Sequence, residues 1–221
     1  MRIFLTGTDT GVGKTYTAAA LVRQLRAQGE DCIGLKPICC GERDDALELE
    51  AANDGVLTLD EVNPVWLTTP VAPYAASLLE NRPVDVDLVL KTCRKAMHKH
   101  ASVVIEGAGG WLVPITKDYY ISDLAADLRL PVAVVVANKL GALNHTMLTV
   151  RAIATQGLTC AGIFLNEPYF SAPNDKLVLS GNRLMLDAML EVPILGELAF
   201  GAKTVRWQEQ SLVGRPTPAG K

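Results

Sequence analysis

The chain has 221 residues, 49% hydrophobic and 20% charged, with a formal net charge of −3. That is enough chain for one sizeable α/β domain with a genuine core, and residues 1–221 are expected to form a single one. Lysines and arginines are scattered rather than striped, which gives no electrostatic reason for nucleic acid or an anionic membrane surface as partner.

Arg2 to Thr15 reads RIFLTGTDTGVGKT: a short apolar strand, a glycine-rich loop, then Gly13-Lys14-Thr15 at the head of a helix-forming run. A loop that wraps a polyphosphate must turn several backbone N–H groups toward one anion, and Gly7, Gly11 and Gly13 permit the positive φ and close approach this needs. The helix beginning near Lys14 adds its partial positive end. Lys14 is then placed for the β- and γ-phosphates of a bound nucleotide, and the Thr15 hydroxyl for the accompanying Mg²⁺. In the strict motif spacing the first glycine falls at position 8, where this chain has Thr8, with Gly7 one step earlier.

The first helix is expected from Lys14 to about Gln28, with Gly29 as its C′ residue, and a strand over Cys32–Leu35. Lys36-Pro37 ends that strand and holds Lys36 at its C-terminal mouth, the edge where open α/β sheets bind ligands. Residues 44 to 53 read as a helix, Asn63 to Pro73 as an ordered loop, and 75–79 and 86–99 as helices. Ala101 to Glu106 is a buried strand that delivers a carboxylate at its end, followed by a sharp turn through Gly107, Ala108, Gly109 and Gly110. The alternation continues with helix 121–128, strand 132–137, helix 143–156, strand 160–165, helix 177–190 and strand 193–198. Short apolar strands alternating with helices predict a doubly wound, mainly parallel sheet with helices on both faces. Residues from about 205 to 221 have no assignment, and the last of them are expected to be disordered.

Met1-Arg2 leads straight into a strand, and no apolar run approaches the roughly 18 residues of a membrane span, so a cytoplasmic protein is expected. The five cysteines are odd in number and lack C-x-x-C spacing, and read as reduced thiols.

Glu106 reads as a second Mg²⁺ ligand, with a turn-capping carboxylate as the plainer alternative. Asp44 and Asp45 admit two readings of equal weight, a metal ligand or acids favouring a helix N-terminus. Lys36 with Lys14 would form a doubly cationic pocket, although a lysine before proline is also a common solvated strand end. Asn144 is placed to cap a helix. His98 and His100 lack a third ligand and receive no function.

Taken together, the chain resembles the ATP-dependent dethiobiotin synthetase family. The resemblance is carried by Gly7 to Thr15, by Gly34-Leu-Lys-Pro37 with Asp45-Ala-Leu47, and by Glu106-Gly-Ala-Gly-Gly-Trp111. It continues through Lys139 to His145, Gly157 to Gly162, Asn166 and Pro193-Ile-Leu-Gly196, in order over residues 2 to 198. It implies a homodimer that converts 7,8-diaminononanoate, CO₂ and MgATP to dethiobiotin, ADP and phosphate. Under it, Lys36 assisted by Lys14 is catalytic, and Thr15, Asp45 and Glu106 hold Mg²⁺. Gly11, Val12, Gly13, Lys14, Thr15 and Tyr16 wrap the phosphates, beside Gly107, Ala108 and Gly109. Asn166 reads the adenine edge next to Glu167, and Ala199, Phe200 and Gly201 line its pocket. Thr10, Cys40, Gly109, Gly110 and, from the partner subunit, Leu143 and Asn144 contact the diamine acid. Cys40 stands where the family commonly has a small hydroxyl residue, and Ala199-Phe200 where it often has proline. Related amidoligases usually carry a glutaminase domain for which this chain has no room. Partition-type ATPases place a further lysine in the stretch that here reads Thr8-Asp9-Thr10.

Overall fold

The computed structural model describes residues 1–169 and 175–208. The expectation of a disordered C-terminal end falls on residues outside that range. The chain begins with β1 (Arg2–Gly7), α1 (Lys14–Ala27), β2 (Cys32–Leu35), β3 (Ile38–Cys40), α2 (Asp44–Asn53), α3 (Leu59–Val62), β4 (Val65–Leu67) and α4 (Pro73–Leu79). It continues with α5 (Val86–Lys99), β5 (Ser102–Glu106), β6 (Pro114–Thr116), β7 (Tyr119–Tyr120), α6 (Ile121–Leu128) and β8 (Val132–Ala137). Then come α7 (Ala142–Thr155), β9 (Cys160–Asn166), α8 (Asp175–Met189), β10 (Ile194–Leu198) and β11 (Arg206–Trp207).

Among the described residues the main sheet has seven strands in the order β11-β10-β9-β8-β1-β5-β2, parallel throughout except for β11, which runs antiparallel to β10. Every residue of β5 and β8 is buried, which requires helices on both faces of the sheet. Because the strands are parallel, their C-terminal ends lie along one edge. Gly7, Leu35, Glu106, Ala137, Asn166 and Leu198 therefore end on the same side, and the loops after them share one crevice.

β2 is an edge strand, and its outward-facing backbone groups need partners. Asn53, at the end of α2, supplies two, accepting from Gly34 N–H at 2.7 Å and donating to Gly34 C=O at 2.9 Å. Lys36 N–H donates to Val62 C=O at 3.0 Å, and Asn63 Nδ2 donates to Lys36 C=O at 2.9 Å. Arg26 closes the other end by donating to Cys32 C=O at 3.2 Å. The helical segment thus takes the place of a further strand.

Helices and strands fall close to their expected bounds, and Gly29 has the positive φ of a C′ residue at 85°. Four features depart from expectation. The loop read over Asn63 to Pro73 contains β4, which pairs in parallel with β3 as a separate two-stranded sheet. α3, the β6–β7 hairpin and β11 were not anticipated. Three-residue strands after Pro37 and Pro64 are too short to show a period. All five cysteines are free thiols.

Candidate active site

The loop between β1 and α1 turns through Gly11 at φ 73° and Gly13 at φ 87°, both in the left-handed region. Gly13 is also sterically required, since a Cβ there would lie 2.1 Å from Asn166 Nδ2. That amide donates to Val12 C=O at 2.9 Å, so the end of β9 clamps the loop from behind. A carbonyl only accepts, which fixes the amide orientation and leaves Asn166 Oδ1 as a buried acceptor without a partner among the described residues. Lys14 Nζ lies 3.0 Å from Asp9 C=O, to which it donates. Burial outweighs the neighbouring carboxylates and lowers its pKa to about 8.

Opposite the loop, Lys36 emerges from the end of β2 almost fully buried at 4% exposure. Its ammonium donates to Asp45 Oδ2 at 2.7 Å and to Glu106 Oε1. Glu106 Oε1 also accepts from the Thr15 hydroxyl at 2.8 Å. Sequence positions 15, 36, 45 and 106 therefore meet at one point beside the phosphate loop. Burial opposes charge on Lys36, but the Glu106 and Asp45 carboxylates outweigh it and hold the ammonium above its usual range. For Glu106, burial comes first and raises the carboxyl, with Asp45 adding to it and Lys36 opposing. Burial pushes Asp45 the same way, yet Lys36 prevails and its carboxyl lies below the usual range.

This donor set fits a magnesium ion. A hydroxyl and two carboxylates are all hard oxygen ligands, and Glu106 Oε2 is buried without a hydrogen-bond partner among the described residues. Among the described residues no group of three or more His, Cys, Asp or Glu side chains is arranged to hold a metal. Magnesium commonly takes only one or two carboxylates and completes its shell with water and substrate phosphate.

A cavity of about 330 Å³ opens beside Lys36 and Asp45, lined by Thr10, Cys40, Ala108 and Gly109 among others. Its far wall is Pro70 to Pro73, where the chain passes from β4 into α4, which sequence reasoning did not connect with the site. Gly41, at φ 82°, lets the β3 end approach that wall, for a Cβ there would sit 2.8 Å from Pro70 Cβ. Burial raises the Cys40 thiol to about 11, leaving it neutral.

The other expected residues are placed less directly. Gly107 is buried under Ile121 and Phe4, and Gly110 packs behind the phosphate loop, 3.7 Å from Gly7 C=O to a Cβ placed there. Glu167 N–H donates to Leu198 C=O at 2.9 Å, joining the ends of β9 and β10. Ala199, Phe200 and Gly201 form an exposed turn, and the Tyr16 hydroxyl donates to Ala202 C=O at its end. Leu143 and Asn144 sit in the first turn of α7 and do not line the cavity of their own chain. Asn144 does not cap α7: that position belongs to Gly141 at φ 91°, with no side-chain cap, because the helix starts earlier than expected.

Sequence reasoning also missed Asn63, whose amide carries Lys36. Asn63 was read only as the start of an ordered loop, because the partner of its amide is remote in sequence.

A strand, a glycine loop with lysine at the helix head, and an acidic residue on the adjacent parallel strand define a P-loop nucleoside-triphosphate-binding protein. Solved structures agree at the level of fold. FtsY from Thermotoga maritima superposes with a TM-score of 0.58 at 15% identity, covering 96% of this chain and 66% of that one. MinD in the MinC:MinD complex of Aquifex aeolicus gives 0.58 at 15% identity, over 91% of this chain and 82% of that one. A family model described as an AAA domain matches residues 1–206. Among curated proteins, ATP-dependent dethiobiotin synthetase BioD of Akkermansia muciniphila is 46% identical over 91% of this chain and 93% of its own. The synthetase of Anaeromyxobacter dehalogenans strain 2CP-1 is 49% identical over 75% of this chain and 76% of its own. That of Bacillus licheniformis is 37% identical over 87% and 83%. The chain belongs to the ATP-dependent dethiobiotin synthetase family.

Proposed function

We propose that this chain acts as a single ligase domain, an ATP- and Mg²⁺-dependent cyclo-ligase of biotin synthesis that converts 7,8-diaminononanoate and CO₂ to dethiobiotin. The observation that carries the reading is the placement of the Lys36 ammonium on Glu106 and Asp45, beside the phosphate loop and at the wall of the cavity. A substrate amine adds to CO₂ and loses a proton, giving a carbamate. The carbamate oxygen attacks the γ-phosphorus of ATP, ADP leaves, and a carbamic-phosphoric anhydride forms. The second amine attacks the anhydride carbonyl and expels phosphate, closing the ureido ring. The nucleophiles come from the substrate, so the protein contributes position and charge.

Lys36 and Lys14 stabilise the carbamate and the transferring phosphoryl group. Thr15, Asp45 and Glu106 would hold Mg²⁺, which supplies charge neutralisation on the phosphates. Gly11 to Tyr16 carry the phosphates with Gly107 to Gly109 alongside. The free Asn166 Oδ1 matches the exocyclic amine of adenine, with Glu167 and Ala199 to Gly201 around the base. Thr10, Cys40 and Gly109, which line the cavity, face the diamine acid, with Gly110 next to them against the phosphate loop. Leu143 and Asn144, remote from the cavity of their own chain, complete it in a homodimer as residues of the second copy. No described helix is long and apolar enough to cross a membrane; the cytoplasm is the proposed location.

ADP release with MgATP and bicarbonate tests this, with and without 7,8-diaminononanoate, wild type beside Lys36→Ala. Diamine-dependent turnover yielding dethiobiotin, reduced about 10²–10³-fold in the variant, is expected. Hydrolysis indifferent to the diamine would sink the substrate assignment.

A further inference from the structure

Between Lys36 and Asp45 the chain is short, and what fixes it lies elsewhere in sequence. Arg43 immediately precedes α2, and its C=O accepts from Leu47 N–H at 2.9 Å, in the first turn of the helix that carries Asp45. Its guanidinium reaches outward to the α3–β4 segment. Nε donates to Asn63 Oδ1 at 3.0 Å, and Nη2 to Asn63 C=O and Asp60 Oδ1, each at 3.0 Å. The plane lies over the Trp66 ring, 5.2 Å from its centroid. Trp66 Nε1 in turn donates to Gly41 C=O at 2.7 Å, beside the cavity-lining Cys40 and Glu42.

Asn63 joins this cluster to the site. At 1% exposure its Nδ2 donates to Lys36 C=O and to Val65 C=O, both at 2.9 Å. One buried amide therefore grips the backbone of Lys36 with its nitrogen and the Arg43 side chain with its oxygen. The Lys36 N–H is held from the same segment by Val62 C=O at 3.0 Å. A planar, charged fork is suited to these acceptors and the indole face together; a lysine ammonium is a point charge and cannot span them.

We infer that Arg43 and Asn63 are positioning residues that set the Lys36 ammonium and the Asp45 carboxylate in register with the phosphate loop. The inference rests on the roles proposed above for Lys36 and Asp45. Neither Arg43 nor Asn63 lines the cavity, and both act through other residues.

The test uses the full chain as wild type, Arg43→Lys and Asn63→Asp. Asn63→Asp keeps an acceptor for Arg43 but has no N–H for Lys36 C=O, and it carries the test if Arg43→Lys does not fold. Thermal melting establishes folding, and the indole ¹H–¹⁵N resonance of Trp66, assigned with Trp66→Phe, reports the cluster in the nucleotide-free chain. Calorimetry gives ATP affinity in EDTA and in Mg²⁺, and turnover gives kcat and the KM for the diamine.

In a folded Arg43→Lys the Trp66 resonance moves. ATP affinity in EDTA stays within about twofold, because the phosphate loop is untouched. The gain in affinity on adding Mg²⁺ shrinks by about 10-fold and kcat falls about 10–100-fold, with the diamine KM nearly constant. A folded variant that keeps the wild-type Mg²⁺-dependent gain overturns the inference. So does an equal loss of every parameter, ATP binding in EDTA included, which reports only less folded protein. A wild type that binds ATP but makes no product from the diamine defeats the proposed function, and the Mg²⁺-dependent gain still decides the inference.

Discussion

The phosphate loop and the arm from Lys36 to Asp45 face each other across one cavity, yet they are held by different kinds of contact. The loop is set largely by its own backbone: Gly11 and Gly13 take φ values that other residues resist, and α1 begins at once. The arm has one left-handed glycine, Gly41 at φ 82°, but its two ends are fixed from elsewhere in the sequence. It is held by amides from α2 and the α3–β4 segment, Asn53 on Gly34 and Asn63 on Lys36, and by a buried ion cluster. A wall fixed by local conformation should tolerate changes around it and fail at single glycines. A wall fixed by remote hydrogen bonds should fail where a buried amide is lost.

The largest effect on stability is expected at the arm. Asn53 is fully buried, and Asn53→Ala strands the N–H and C=O of Gly34, at a cost of about 3 kcal/mol in chemical denaturation. A loss below about 1 kcal/mol would mean that water replaces the amide and that α2 does not close the edge of β2.

Next comes a pair of substitutions in the loop. Gly13→Ala meets both the left-handed backbone and the Asn166 amide at 2.1 Å, and is expected to cost about 2 kcal/mol and most ATP binding. Gly11→Ala has the same backbone problem at φ 73° but nothing within 4 Å, so about 1 kcal/mol is expected. Equal losses at the two positions would remove the Asn166 clamp from the account.

The loop also differs in its charge. With the Lys14 pKa at about 8, ATP binding at pH 8 should draw about half a proton onto this amine, because the phosphates favour its charged form. Calorimetry in buffers of different ionisation enthalpy would show this uptake in wild type and its loss in Lys14→Met. The sign for folding follows from the same shift. Between pH 8 and the ordinary lysine value of 10.5 the unfolded chain binds more protons at this residue, so its contribution makes stability rise with pH there.

The smallest effect is expected where the two walls touch at the surface. Arg23 on α1 pairs with Glu48 on α2 at 2.7 Å, but both side chains are more than 40% exposed, at 44% and 43%. Arg23→Ala should change stability by no more than about 0.5 kcal/mol. A larger loss would show that the helices, and not the buried amides, join the walls.

The sequence by itself determined the parallel α/β alternation, the phosphate loop and the strand ends that deliver Lys36 and Glu106. Those features rest on local physics: glycine dihedrals, proline boundaries and runs of apolar residues long enough to show what they bury. It left Asp44 and Asp45 equal from their residues alone, and only the tertiary structure separates them by contact, since Asp45 reaches the Lys36 ammonium. It also missed β3 and β4, the Pro70 to Pro73 wall and the Asn63–Arg43 link, and it gave Asn144 a capping role that Gly141 fills. Each of those depends on a partner many residues away, and a three-residue strand or a single amide carries no periodic signal of what it will meet.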